Sequence, residues 1–337
     1  MRSLLLSVLM LTVATLTVNN ARADEQLTTD PKHTAYLHNL KHQFHEDSIT
    51  DGPKLVDCKL SGGTETKCFS ITVKTEPSGF LPGPWCPRNI ADGPDKAGIW
   101  LDGGKVYDAD GAFIQNLGSF YNDDMWQLFD PQTGAVHVTD TKESCGAAAR
   151  PDVDPKYRNY CVECQTSYMK EGATMTYVIP IEPVRTPHPG GRIGFVGVGL
   201  TYSGVRLDAP APVDHILGAH TLAPFDDCGG HVNLHVGYHI HAVTGCLKEV
   251  QSQSAPGHAP MIGIAMDGYI LHSRLNTDGT EPQDLDSCQG HMFGDLGYHY
   301  HVAAPGKNEI LGCHVAEYGC VSNDGEKYCD ATLISNR

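Results

Sequence analysis

Two stretches in the C-terminal half bring cysteine, histidine and tyrosine together at one shared spacing. The first is Cys228-Gly-Gly-His231, five residues, then Gly237-Tyr238-His239-Ile240-His241. The second is Cys288-Gln-Gly-His291, five residues, then Gly297-Tyr298-His299-Tyr300-His301. Seven positions agree in identity and spacing, and an acid two residues before each cysteine, Asp226 or Asp286, agrees as well. Agreement of that extent points to an internal duplication with two pseudo-symmetric halves.

The chemistry follows from strand geometry. Alternate residues of a strand share a face, so the histidines of His-x-His point the same way, roughly 6.5–7 Å apart by backbone rise. Two imidazoles at that spacing can converge on one ion with metal–nitrogen bonds of roughly 2.0–2.1 Å. His231 or His291, arriving from the preceding loop, supplies a third donor. One set is then His231, His239 and His241, and the other His291, His299 and His301. Three protein donors are typical of a site with an open coordination position. Halves packed face to face would instead pool the ligands in one central site, and the sequence leaves both arrangements open. All-imidazole ligation suits zinc or copper better than calcium or magnesium. Asp226 and Asp286 are candidates to orient the imidazoles. Tyr238 and Tyr298 face the other way, where aromatic packing is the expected role. If the histidines are instead hydrogen-bonded core residues, replacing His239 and His241 together damages folding without changing metal content.

Compartment decides what the cysteines do. Arg2, an apolar run without charge over residues 4–18, and Ala21-Arg22-Ala23 together read as a signal peptide cleaved after Ala23. The run is short for a membrane span of roughly 20 residues, and no second one follows, so a secreted or periplasmic protein without a membrane span is expected. Twelve cysteines, an even count in an oxidising compartment, then default to disulfides. Each repeat ends in a further cysteine after a glycine, which predicts the pairs Cys228–Cys246 and Cys288–Cys313 bracketing each histidine ribbon. Cys161-Val-Glu-Cys164 reads as structural for the same reason. Removing residues 1–23 takes away two arginines and no acids and leaves 22 basic against 40 acidic residues, a balance of −18. Nucleic-acid binding needs a basic face, and this chain has the opposite bias.

The elements that must carry these residues are mostly short strands. Residues 31–46 form the best helix candidate, capped by Asp30 with Pro31 in the first turn. Its stripe is Leu37, Leu40 and Phe44, beside a solvated histidine face of His38, His42 and His45. Alternation predicts strands over residues 68–73 and 135–139, and a hairpin turning at Asp102-Gly103-Gly104. Asp108-Ala-Asp110-Gly111 reads as a polar turn rather than a calcium loop. Val196-Gly-Val-Gly-Leu200 and Ile262-Gly-Ile-Ala-Met266 open the two repeats as buried strands. The Pro/Gly-rich stretch 180–191 is the candidate boundary between a β-rich region over residues 24–189 and a duplicated module over 190–337. The expected class is mainly β, sandwich- or barrel-like, with pseudo-twofold halves and disulfides.

Asp-Asp-Cys-Gly-Gly-His with Gly-Tyr-His-Ile-His, Ile-Gly-Ile-Ala-Met-Asp-Gly-Tyr, and Asp-Ser-Cys-Gln-Gly-His with Gly-Tyr-His-Tyr-His resemble the secreted YHYH-domain proteins. The resemblance covers about residues 190–320 and implies little about activity. The expected function is a secreted protein binding zinc or copper through the six repeat histidines. A metal-dependent hydrolase or copper oxidoreductase is the alternative, with Asp267, Tyr269 and His272 lining its site, although no His-Glu-x-x-His or Gly-x-Ser-x-Gly is present. A disulfide-stapled extracellular structural protein is the third reading.

Overall fold

The computed structural model describes residues 30–150, 152–187, 193–253, 255–323 and 329–333; the expected leader, residues 1–23, lies outside them. The chain opens with helix α1 (Pro31–Gln43), whose Asp30 cap accepts the Lys32 N–H at 2.9 Å. Leu40 and Phe44 are buried, while His38 and His42 stay exposed with their Nε2 atoms 3.4 Å apart. Strands β1 (Ile49–Lys59) and β2 (Glu65–Lys74) follow, then the hairpin of β3 (Ile99–Asp102) and β4 (Lys105–Asp108). Next come helices α2 (Gly111–Tyr121) and α3 (Lys142–Ala148) and strand β5 (Thr174–Pro180). Helix α2 was hidden in the sequence behind the polar turn. Asp110 of that turn caps it by accepting the Phe113 N–H, and Ile114 and Leu117 bury its inner face. Residues 135–139 form only isolated bridges, Ala135 to Asn89, Val136 to Phe129 and Val138 to Cys161, rather than a strand.

The second half holds β6 (Gly199–Thr201), β7 (Arg206–Leu207), α4 (Val213–Gly218), β8 (Gly230–Asn233) and β9 (Gly237–Ile240). It continues with β10 (Met261–Ala265), β11 (Ile270–His272), β12 (Gly290–Phe293), β13 (Gly297–His301), β14 (Cys320–Ser322) and β15 (Cys329–Asp330). Eight of these strands build one nearly closed, barrel-like sheet in the order β12-β13-β11-β10-β6-β7-β9-β8. That order is a palindrome of the two repeats about the β6–β10 pair. The fold is mainly β, as composition and turn spacing suggested.

The axis of the duplication is visible in the register. Tyr202 N–H donates to Ile262 O, and Met266 N–H donates to Val198 O. A Cβ on Gly199 would lie 2.3 Å from Ile264 O, and one on Gly263 would lie 2.3 Å from Leu200 O. Only glycine permits so close a backbone approach, and the reciprocal need explains why both repeats carry it. Val198 and Gly199 are thus the equivalents of Ile262 and Gly263, two residues further along than the opening apolar runs suggest when laid side by side.

A five-stranded sheet, β14-β5-β2-β1-β15, packs against this centre. Phe69, Ile71, Tyr177 and Ile179 from it share one buried cluster with Leu200, Tyr202, Ile264 and Met266. The C-terminal segment therefore returns to the sheet begun by the N-terminal one. Six disulfides join Cys58 to Cys68, Cys86 to Cys161, Cys145 to Cys164, Cys228 to Cys246, Cys288 to Cys313 and Cys320 to Cys329. Both repeat pairings are as expected, and the Cys-x-x-Cys is divided between two bridges. No helix among the described residues is long and apolar enough to cross a membrane.

Candidate metal centres

Each repeat folds its motif into an antiparallel hairpin, and pairing alone gathers three imidazoles. His231 lies directly opposite His239 on β8 and β9, and His291 directly opposite His299 on β12 and β13. Cross-strand neighbours are within side-chain reach, and His241 or His301 joins them from two residues along the same face. The first donor is therefore a strand residue, not a loop residue as its spacing suggested.

The opposite faces decide whether the histidines are pooled. Tyr238, Ile240 and Tyr300 join Leu207, Leu271 and Ile262 in one buried apolar cluster. That cluster is the shared interior of the two halves, so the histidine faces point away from it. The six histidines form two separate groups and are not pooled. His231, His239 and His241 make one; His291, His299 and His301 make the other, joined by His258. Within each group the candidate ligand atoms all lie within 4.8 Å of one another.

His258 has no motif spacing to announce it. It comes from the loop before β10, and its Nε2 lies 3.2 Å from that of His299. The other contacts in that group are 3.0 Å between His291 and His299, and 3.2 Å for both His299–His301 and His301–His291, all between Nε2 atoms. In the first group the Nε2 atoms of His231 and His241 stand 3.2 Å apart.

What faces the other ring nitrogens fixes the protonation. Nδ1 of His239 and His299 meets the carbonyls of Gly237 and Gly297, each at 3.0 Å. Nδ1 of His241 meets Ala209 O at 2.6 Å and that of His301 meets Ser273 O at 2.9 Å. His258 Nδ1 faces Ala259 O at 3.1 Å, and His291 Nδ1 faces the Asp284 carboxylate at 2.8 Å. Carbonyl and carboxylate oxygens only accept, so each Nδ1 carries the proton. Burial holds His241 and His301 down at about 3 and His299 at about 4, and lowers His231, His239 and His258 as well. A neutral imidazole has one N–H. With it spent on Nδ1, the Nε2 atoms of His239, His241, His258, His299 and His301 present bare lone pairs.

The acids do a different job from the one expected of them. Asp226 accepts from Tyr238 Oη and from the Cys228, Gly230 and Gly83 N–H groups. Asp286 accepts from Tyr298 Oη at 2.7 Å and from the Cys288 and Gly290 N–H groups. Both acids sit under the tyrosine face and pin the Cys-x-Gly-His turn; imidazole orientation falls to backbone carbonyls and to Asp284. Asp267 and Tyr269 also belong to the tyrosine face. Of the three residues proposed to line an active site, only His272 lies beside the histidines, its ring 4.4 Å from that of His299.

Tyr300 donates to the fully buried Asp267 carboxylate at 2.6 Å and accepts the Val315 N–H at 2.7 Å. In the first repeat the equivalents are Ile240 and Ser203, so the hydroxyl and its acceptor are absent together. Tyr300→Phe is expected to cost about 1.5–3 kcal/mol, the range for a hydrogen bond to a charged group, in urea unfolding. Metal content should not change, because the ring points away from the histidines.

Residues 176–284 match the family model described as YHYH protein. The chain carries a YHYH domain. The match spans the whole first repeat and the opening strands of the second, and stops before Tyr298-His-Tyr-His301. The YHYH domain match therefore holds the Tyr-His-Ile-His form of the motif, while the sequence resemblance extends further toward the C-terminus. Neither a search of curated proteins nor one of solved structures returned a match.

The two groups differ in completeness. A tetrahedral shell with bonds of roughly 2.0–2.1 Å has donor–donor edges of roughly 3.3–3.4 Å, close to the spacings around His299. The second group offers four imidazoles, with the Nε2 of His299 3.0–3.2 Å from each of the other three. The first group offers three, and all three line a cavity of about 610 Å³ walled by Trp85, Val162, Phe195, Ile216 and Val232 among others.

Proposed function

We propose that the protein is an exported metal-binding protein holding two ions, one in each histidine group. The observation that carries this reading is the second group, where four Nε2 atoms gather with contacts of 3.0–3.2 Å around His299. Bare lone pairs at that distance repel one another, and a cation between them turns the repulsion into ligation. Near-tetrahedral all-nitrogen donors favour zinc over copper(II), which prefers a tetragonal arrangement. The six disulfides fit an oxidising compartment, in keeping with the leader read from residues 1–23.

The test is metal analysis of the purified protein after dialysis against low-micromolar zinc. Two ions per chain are expected, and a content below 0.2 per chain refutes the proposal. A second reading, a metal-dependent enzyme, is favoured by the three-donor group opening on a cavity. Zinc-loaded protein should then turn over a panel of activated esters, and His239→Ala should abolish that turnover. Absence of turnover across the panel counts against it.

A further inference from the structure

We infer that the first histidine group, loaded with its ion, binds an organic anion with an apolar body. The anion's head group takes the coordination position that His258 takes in the second group. This deepens the metal reading above and rests on it.

The register of the duplication identifies the position. Val198, Gly199 and Tyr202 correspond to Ile262, Gly263 and Met266. Leu207, paired with Gly199 and Ile240, corresponds to Leu271, paired with Gly263 and Tyr300. The same offset places Asp208 where the second repeat has His272, and Ala209 where it has Ser273. Function agrees with the offset: Ala209 O and Ser273 O each receive the Nδ1–H of the last motif histidine. Carried back four residues from Val198 and Ile262, it places Gly194 where His258 stands. Phe195 then matches Ala259, and again the roles agree. Ala259 O accepts from His272 Nδ1, and Phe195 O accepts from the Arg206 guanidinium that holds Asp208.

The fourth donor of the second group is thus replaced by a residue with no side chain. Gly194 lines the same cavity as the three histidines, and a Cβ built on it meets nothing within 4 Å. The space is open because of residue type, not because neighbours crowd the position.

Charge and lining set the class of ligand. Three neutral imidazoles leave both charges of a divalent ion uncompensated. Asp208, which lines the cavity, is held by two contacts of 3.0 Å from Arg206, and Glu163 in the wall is paired with Arg88. Neither is free to balance the ion, so an anionic donor gains most from this low-dielectric position. Apart from those pairs the walls are chiefly apolar, and a cavity of this size lies in the range that encloses a small organic ligand. A carboxylate or phenolate on a hydrocarbon body satisfies both conditions.

The experiment uses the disulfide-intact mature protein loaded with cobalt(II), whose visible bands report coordination. Benzoate, acetate and benzyl alcohol are the probes. Benzoate is expected to shift the bands and to bind at least about tenfold more tightly than acetate, since the ring gains burial that a methyl group does not. Benzyl alcohol, uncharged, should bind more weakly than benzoate. Gly194→His should keep two cobalt ions per chain and lose the benzoate response, because its imidazole completes the shell. Ala223→Phe, which narrows the cavity from a wall position that is not one of the three histidines, should weaken benzoate and leave acetate unchanged. Bands indifferent to benzoate, or a response that survives in Gly194→His, overturn this inference alone. Failure of cobalt to bind overturns it together with the metal reading.

Discussion

Replacing His299 and His301 together by alanine is expected to lower bound metal from two ions per chain to one, with a Tm lower by on the order of 10 °C. Only His258 and His291 remain in that group after the change, and two imidazoles do not hold a first-row ion against solvent. An ion present at 1,000 times its dissociation constant stabilises the folded chain by about 4.1 kcal/mol. For a chain of this size each kcal/mol moves Tm by about 1.5 °C, so the ion accounts for about 6 °C of the shift. Side-chain loss also contributes, because both histidines are buried. Calorimetry with and without EDTA separates the two effects. If the ion supplies most of the difference, wild type and variant converge in EDTA. An undiminished gap in EDTA would show that the histidines act by packing alone.

The second large effect is expected from Cys288→Ser with Cys313→Ser. The bridge closes a sequence separation of 25 residues, and the chain-entropy model gives about 3.5 kcal/mol for a loop of that length. The bridge lies next to a second constraint. Val315 N–H donates to Tyr300 Oη and Ala316 N–H donates to Asp267, so the segment after Cys313 is stitched to the back of the histidine strand. Releasing the bridge loosens that stitching as well. Urea unfolding should show a loss of about 3 kcal/mol or more. Metal content should hold at two ions, because the β12–β13 pairing that sets His291 opposite His299 does not depend on the bridge. A loss below 1 kcal/mol would mean that the denatured chain is already restricted without the bridge.

The parts of this architecture governed by local periodicity could be read directly from the residues. His-x-His on a strand shares a face wherever the strand sits, and a five-residue connection back to His231 or His291 is short enough for the hairpin to form. The cysteine pairs were legible because both repeats end with the same Gly-Cys. Helix α1 was legible through Asp30, Pro31 and its apolar stripe. Helix α2 was not, because its Gly, Ser and Asn residues weaken helix propensity and its stability comes from burying Ile114 and Leu117 against Trp100 and its neighbours.

The duplicated Cys–His motif, its two disulfides and its common histidine face are therefore properties of short stretches of chain. Whether the halves share one centre was not, since it depends on which face of β9 and β13 meets the common interior, and Tyr and His are both able to be buried. Apolar packing of Tyr238, Ile240 and Tyr300 against Leu207 and Leu271 divides the histidines into two groups. His258 lies 41 residues from His299 and reaches it because the segment before β10 runs beside β11, which pairs with β13. No periodicity encodes a contact of that kind. Apart from Asp284 at His291, the acceptors for the Nδ1 protons are backbone carbonyls, which every residue carries, so composition gave no sign of them. The difference between a four-imidazole shell and a three-imidazole one opening on a cavity came down to His258 against Gly194, a correspondence that the strand register of the folded protein makes visible.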